Sequence, residues 1–325
     1  MTTPAVDVDG LVKRFGDLTA VDHVDLRVDV GEVHGLLGPN GAGKTTFLRM
    51  LFGLIRPDAG TLRLLGRSWA ADGPAALDGV AGFIESPRFY PYLSGRRNLE
   101  LLAGLDGARD PARAIMRVLE LVDLTGRAGD KVGGYSFGMR QRLGVAAALL
   151  REPRLLVLDE PANGLDPAGI RDMRALVKQL ASSGLTVLLS SHDMDEVEEI
   201  CDNVTIMRSG RVAFDGSIDA LRSQAPDPAR RLATSDDERT LEVAAVHPGV
   251  SVTRHPDGAL ALRAPAAAAD AFLIALGRAG IAVRSLALEV APLESLFFML
   301  TETGPVSAAS RATSPEASAL TGARP

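Results

Sequence analysis

Gly38-Pro39-Asn40-Gly41-Ala42-Gly43-Lys44-Thr45 fits the pattern G-x-x-x-x-G-K-[ST] at every fixed position. Residues 32–37 before it read as a short buried strand, and residues 45–52 after it as the first turns of an amphipathic helix. Strand, loop and helix thus follow in the order a phosphate loop requires. Its glycines let the backbone curl so that successive N–H groups face one anion, and the helix N-terminus adds its partial positive charge there. The stretch from Gly38 to Thr46 is therefore expected to hold a nucleoside triphosphate. Lys44 would reach the β- and γ-phosphates and Thr45 would offer its hydroxyl to Mg²⁺.

Outward from the loop, apolar residues at period two (Val6 and Val8, then Val24, Leu26, Val28 and Val30) predict half-buried antiparallel strands. Phe15-Gly16 falls in the turn between them; taken alone, Phe15 reads as a hydrophobic plug. Residues 56–60 read as a loop and 61–65 as a strand. From about 87 to 151 helix-forming runs with glycine and proline punctuation predict a helical subdomain. Leu155-Leu156-Val157-Leu158 is then a continuous apolar run of strand length that ends in Asp159-Glu160, as suits a central strand covered on both faces. Ile170, Met173, Leu176, Val177 and Leu180 repeat at helical spacing, and residues 186–190 form another buried strand ending at His192. Strands alternating with helices predict an α/β fold with a largely parallel sheet, whose ligands bind beyond the strands' carboxyl ends.

Residues 224–231 are rich in proline and charge and read as a linker. Beyond them, segments 250–255 and 259–263 flank Pro256-Asp257-Gly258, a hairpin signal. A helix over about 265–279, a strand over 281–290 and a helix over 293–301 complete a small α+β unit. The expected organisation is 1–223, 224–303 and a disordered tail over 304–325 composed largely of Ala, Ser, Thr, Pro and Gly. The 325 residues are 46% hydrophobic with a formal net charge of −6, which argues against a broad nucleic-acid surface. No run approaches the roughly 18 apolar residues of a spanning helix. No signal-peptide pattern opens the chain, so it is expected in the cytoplasm. The single cysteine, Cys201, excludes an intramolecular disulfide and reads as a small buried side chain.

A second set of motifs narrows the choice among phosphate-loop proteins: Tyr135-Ser136-Phe137-Gly138-Met139-Arg140-Gln141-Arg142-Leu143, then Asp159-Glu160, Asn163-Gly164-Leu165-Asp166, and Ser190-Ser191-His192-Asp193. In this order and spacing, over residues 5–220, the chain resembles the nucleotide-binding subunit of an ATP-binding cassette (ABC) transporter. The resemblance implies a phosphate-loop ATPase core with an antiparallel β subdomain and a helical subdomain. It also implies site roles: Asp159 holding Mg²⁺, Glu160 as general base, His192 at the γ-phosphate and Phe15 stacking on adenine. Family members act as head-to-tail homodimers, with ATP between the phosphate loop of one subunit and the signature segment of the other. Ser136 and Gly138 would then serve the partner's γ-phosphate, whereas Ser136 on its own reads as an ordinary helix cap.

Two departures from the family pattern stand out. Tyr135, Phe137 and Met139 replace three of five residues of the usual Leu-Ser-Gly-Gly-Gln. Where the family has a glutamine, this chain has Glu85, within Ile84-Glu85-Ser86-Pro87; the resemblance places Glu85 at the Mg²⁺ as well. Such a glutamate looks like the subgroup exporting bacitracin-like and lantibiotic peptides, as does Pro292-Leu293-Glu294-Ser295-Leu296-Phe297. Phe89-Tyr90-Pro91-Tyr92 either meets the membrane subunit's coupling helix or packs locally. The resemblance implies an ATPase at the cytoplasmic membrane face, driving a separate permease that exports an antimicrobial peptide, antibiotic or related hydrophobic compound. A soluble ABC ATPase of DNA repair or translation is the alternative. So is a nucleotide-switched binding module, but retention of Asp159, Glu160 and His192 together points to turnover.

Overall fold

A computed structural model of the chain describes residues 3–105, 110–227, 229–254, 258–288 and 291–302. The period-two pattern at the start becomes β1 (Val6–Phe15) and β2 (Leu18–Val28), paired antiparallel with Val6 opposite Val28 and Phe15 opposite Leu18. Their alternate apolar side chains point into a core they share with the next elements. Five consecutive buried residues form β3 (Val33–Leu37), which runs through the phosphate loop into α1 (Lys44–Leu51). The strand β4 (Ala59–Leu64) returns to pair with β1, giving a three-stranded antiparallel sheet in the order β2-β1-β4.

After the short α2 (Trp69–Asp72), β5 (Val80–Phe83) joins the main sheet as an edge strand that its mixed sequence does not announce. The helical subdomain follows as α3 (Gly95–Leu105), α4 (Pro111–Leu121) and α5 (Phe137–Leu149). Asp110 caps α4 from a position before Pro111, and Ser136 caps α5 by accepting a hydrogen bond from Met139 N at 3.2 Å. The sheet resumes with β6 (Leu155–Asp159), α6 (Pro167–Ser182), β7 (Thr186–Ser191), α7 (Met194–Ile200), β8 (Asn203–Arg208), β9 (Arg211–Ser217) and α8 (Ile218–Ser223). Its order is β5-β6-β7-β3-β8-β9, parallel from β5 to β8 and closed by the antiparallel β9. One face of this sheet shares a core with α1 and the antiparallel sheet, and the other packs against the helical subdomain, α6 and α7. Cys201 lies buried against Gly35, and burial pushes its thiol up, away from thiolate chemistry.

The region read as a linker already contains a strand. β10 (Ala229–Thr234) forms despite Arg230-Arg231, because Ala229 and Leu232 are buried and ladders on both sides hold the strand. With α9 (Asp237–Ala245), β11 (Ser251–Arg254), β12 (Leu260–Arg263), α10 (Ala266–Arg278) and β13 (Val283–Leu288) it builds an antiparallel sheet in the order β11-β12-β10-β13. The β-α-β-β-α-β succession is that of ferredoxin-like units, with its own core around Phe272, Leu276, Leu232 and Leu262. The tip residues Pro256-Asp257 and the tail 304–325 lie outside the described residues.

The last helix departs from the sequence reading. α11 (Pro292–Glu302) does not close the small unit; it packs against α7, α8, β8 and β9, and Leu293, Leu296 and Phe297 are buried in the core of the main body. Its apolar stripe at i, i+3, i+4 and i+7, completed by Leu300, specifies a partner surface without saying which one.

Candidate functional site

The phosphate loop is wedged between β2 and the β8–β9 turn. Gly210 N donates to Ala42 O at 2.9 Å, and Gly38 N donates to Ser191 O at 3.2 Å. Gly43 sits at φ +105, and a Cβ there would lie 2.3 Å from Ala20 O. At Gly38 it would lie 2.5 Å from Met207 O. Both positions therefore demand glycine. Gly43 is also the N-cap of α1 and no side chain caps it, so the first N–H groups of the helix are left to an anion. Lys44 is 5% exposed, and its ammonium donates to Gly38 O at 2.6 Å and pairs with Glu160 Oε1 at 3.1 Å.

The polar residues at the ends of β6 and β7 complete the constellation. Thr45 Oγ1 donates to Asp159 Oδ2 at 3.1 Å. Ser190 Oγ donates to Asp159 Oδ1 at 2.5 Å and accepts from Glu160 N at 3.0 Å. That second bond fixes the backbone of Glu160, which stands at φ +49, a strained conformation for a non-glycine residue of the kind found at functional sites. The Glu160 carboxylate is held from both sides, by Lys44 through Oε1 and by His192 Nδ1 at 2.6 Å through Oε2. Behind it, Ser191 Oγ donates to Glu196 Oε2 at 2.6 Å; burial pushes the Glu196 carboxyl up, the Ser191 hydrogen bond opposing it. Lys44, Thr45, Glu160 and Asn163 line one open cleft of about 610 Å³ together with residues 39–43, Thr46, Leu18, Thr19, Ala20, Ser209 and Gly210.

Other expected site residues lie elsewhere. Phe15 is 48% exposed and is not among the residues lining the cleft; it is paired with Leu18, which is, and the Lys13 ammonium lies 5.4 Å from its ring centroid. Ser136 and Gly138 line a separate cavity with Phe137, Gly164, Leu165 and Asp166, away from the chain's own phosphate loop. The three signature departures have local reasons. Tyr135 is 3% exposed and donates its hydroxyl to Arg127 O at 2.7 Å. Phe137 lies against the Gly164 backbone and takes the Arg140 guanidinium over its ring at 5.8 Å. Met139 packs against the core.

Glu85 lies apart from the other two residues expected at the metal. Of the three expected Mg²⁺ ligands, Thr45 and Asp159 come together, whereas the Glu85 carboxylate is ion-paired with Arg49 of α1 and its side chain is 59% exposed. Among the described residues no group of three or more His, Cys, Asp or Glu is arranged to hold a metal. A hydroxyl and a carboxylate at the head of the loop are nevertheless the hard oxygen donors that suit Mg²⁺ when phosphate oxygens and water supply the rest. Ser190 is the functional residue the sequence reading missed. Its position opposite Asp159 in the β6–β7 register is the signal, and that register is legible only after the strands are paired.

The family model for ABC transporters matches residues 21–163. The chain is 37% identical to the daunorubicin resistance ATP-binding protein DrrA3 of Streptomyces coeruleorubidus over 307 residues, covering 93% of this chain and 97% of that protein. It is 41% identical to the bacitracin transport ATP-binding protein BcrA of Bacillus licheniformis, over 66% of this chain and 70% of the relative. A solved ATP-binding subunit of an ABC transporter superposes with a TM-score of 0.61 at 30% identity, covering 68% of this chain and 92% of that one. Loop, strand-end carboxylates and overall architecture thus agree with sequence likeness along nearly the whole described chain, and the protein belongs to the ATP-binding, ATP-hydrolysing proteins of ABC transporters.

Proposed function

We propose that this chain powers an exporter of an antibiotic or related hydrophobic compound through a separate membrane permease, acting as a head-to-tail homodimer. The observation that carries the chemistry is the grip on Glu160: with Lys44 on one oxygen and His192 on the other, the carboxylate is oriented at the mouth of the phosphate loop. There it accepts a proton from the attacking water as the water meets the γ-phosphorus, while Lys44 turns to the phosphates and His192 holds the base in line. Mg²⁺, held by Thr45 and Asp159, would neutralise charge on the β- and γ-phosphates. Phe15 stacks on the adenine from the rim beside Leu18.

Dimerisation is supported by the distance of the signature segment from its own loop. Ser136 and Gly138 line a cavity that shares no residue with the phosphate-loop cleft, which fits their serving the γ-phosphate held by a second copy. Tyr90 and Tyr92 are 55% and 65% exposed with ring centroids 5.8 Å apart, an aromatic pair suited to the permease's coupling helix. Among the described residues no helix is long and apolar enough to cross a membrane, which fits a transport path in another chain. The full-length likeness to a daunorubicin resistance protein and the partial likeness to a bacitracin transport protein both favour an antibiotic as cargo.

The test is recovery of the tagged protein from gently solubilised membranes of its host, with identification of stoichiometric partners and an ATPase assay of the complex. A polytopic partner that raises ATP hydrolysis supports the reading. Recovery alone, or with ribosomes or DNA, in the soluble fraction overturns it.

A further inference from the structure

His192 reaches Glu160 from the end of β7, and the residue before it is tied on three sides. Ser191 is buried, and its carbonyl accepts from Gly38 N at 3.2 Å, at the start of the phosphate loop. Its hydroxyl accepts from Asp193 N at 3.0 Å, a short turn that folds the chain around His192 and leaves the imidazole facing outward to Glu160. The same hydroxyl donates to Glu196 Oε2 at 2.6 Å. Asp193 caps α7 by accepting from the N–H groups of Asp195 and Glu196, so the loop is joined to the first turn of the helix.

Glu196 is an unfavourable residue to bury. It is 4% exposed, its Oε1 has no hydrogen-bond partner, and burial outweighs the Ser191 bond and the Arg174 charge in pushing its carboxyl up. An apolar side chain of this size would fill the site with less penalty. What Glu196 supplies is an acceptor for the single hydroxyl proton of Ser191, which leaves the oxygen's lone pairs to Asp193 N. The hydroxyl's other acceptor, Asp193 O, stands at 3.5 Å. We propose that Glu196 is a positioning residue of the hydrolytic site: through Ser191 it sets the turn that aims His192 at Glu160. Arg174 of α6 also steadies this region, pairing with Glu199 at 2.6 Å and reaching Asp193 at 4.0 Å, but it grips the helix and not the Ser191 hydroxyl. A carboxyl buried for one hydrogen bond thus serves the geometry of a side chain four positions earlier. The inference rests on the reading of His192 as the group that holds Glu160 in line.

The experiment measures single-turnover phosphate release, and affinity for a slowly hydrolysed ATP analogue, on the purified full-length protein. It compares wild type with Glu196→Leu, Glu196→Gln, Ser191→Ala, His192→Ala and the double variant Glu196→Leu/His192→Ala, with thermal unfolding to show that each is folded. Glu196→Leu is expected to slow release about tenfold, as a misaimed group does, with nucleotide affinity within about twofold of wild type. Glu196→Gln still offers Ser191 an oxygen and rescues most of that loss. Ser191→Ala, which removes the same bond from its other end, matches Glu196→Leu. In the double variant the leucine adds nothing to the loss caused by His192→Ala, because the side chain it misaims is gone. Release in Glu196→Leu within about twofold of wild type, an equal loss in Glu196→Gln, or an about tenfold loss that persists without His192 overturns the role of Glu196. Wild-type release in His192→Ala instead removes the reading of His192, and the inference with it.

Discussion

Replacing Ser190 by alanine removes one oxygen and should disturb two residues at once. The hydroxyl is fully buried, donates to the Asp159 carboxylate and accepts from Glu160 N. A hydrogen bond to a charged group is worth about 1.5–3 kcal/mol, and a buried N–H left without its acceptor costs about 1–3 kcal/mol. Partial relaxation offsets some of this, so Ser190→Ala should lose about 3 kcal/mol in guanidinium unfolding at neutral pH without nucleotide. The Glu160 backbone, no longer pinned at φ +49, also lets the base wander from its place between Lys44 and His192. Turnover should therefore fall at least about tenfold, equivalent to about 1.4 kcal/mol in the barrier. ATP affinity should change little, because the phosphate loop itself is untouched. A stability loss below about 1 kcal/mol together with kcat within twofold of wild type would refute the assignment of Ser190 as the brace between the two carboxylates.

Glu160→Gln keeps the shape of the side chain but cannot take a proton, so single-turnover phosphate release should slow by about 10²–10⁴-fold. Size-exclusion chromatography with ATP should show the dimer accumulating; wild-type rates would remove Glu160 from the base role. Glu196 titrates above its ordinary range in the folded chain because it is buried. From the unfolded value of 4.5 up to its raised folded value, the native state keeps a proton that the unfolded state releases, so this group's contribution to stability falls as pH rises. Glu196→Gln should thus gain on wild type in unfolding free energy across that window and show a constant difference below it; parallel curves would contradict this. Phe297, 7% exposed at the junction of α11 with the main body, should cost about 3 kcal/mol as Phe297→Ala and speed protease cleavage near residues 224–228, with basal ATPase within twofold. Unchanged cleavage would show that α11 does not hold the two parts together.

What the sequence disclosed was mostly what neighbouring residues decide between themselves. The phosphate loop is eight consecutive residues, and Asp159, Glu160 and His192 are polar residues at the ends of apolar runs, so strand topology alone brings them together. The partner of Glu85 was not legible, because Arg49, which engages its carboxylate, lies 36 positions earlier in the chain. Phe15 sits on the strand next to the cleft, and period two cannot say whether an exposed aromatic at a hairpin end faces a ligand or only its rim. Ser190 looked like one of two adjacent serines until β6 and β7 were laid side by side. The small C-terminal sheet was legible in its hairpin and helix. The arginine-bearing β10 was not, since its strand character comes from the neighbours on either side.

The course of the chain through α11 alters what truncation means for this protein. The polypeptide leaves the main body after α8, builds a separate sheet, and returns to bury Leu293, Leu296 and Phe297 beside α7, the helix that begins two residues after His192. In space the ferredoxin-like unit is a detour in the middle of a continuous body, moored at both ends. Shortening the chain from its C-terminus strips the body of part of its own wall, while the portion open to excision is the loop of structure from Ala229 to Leu288. A strain placed on that unit is felt at two moorings, one of them against α7, the helix that follows the loop of His192.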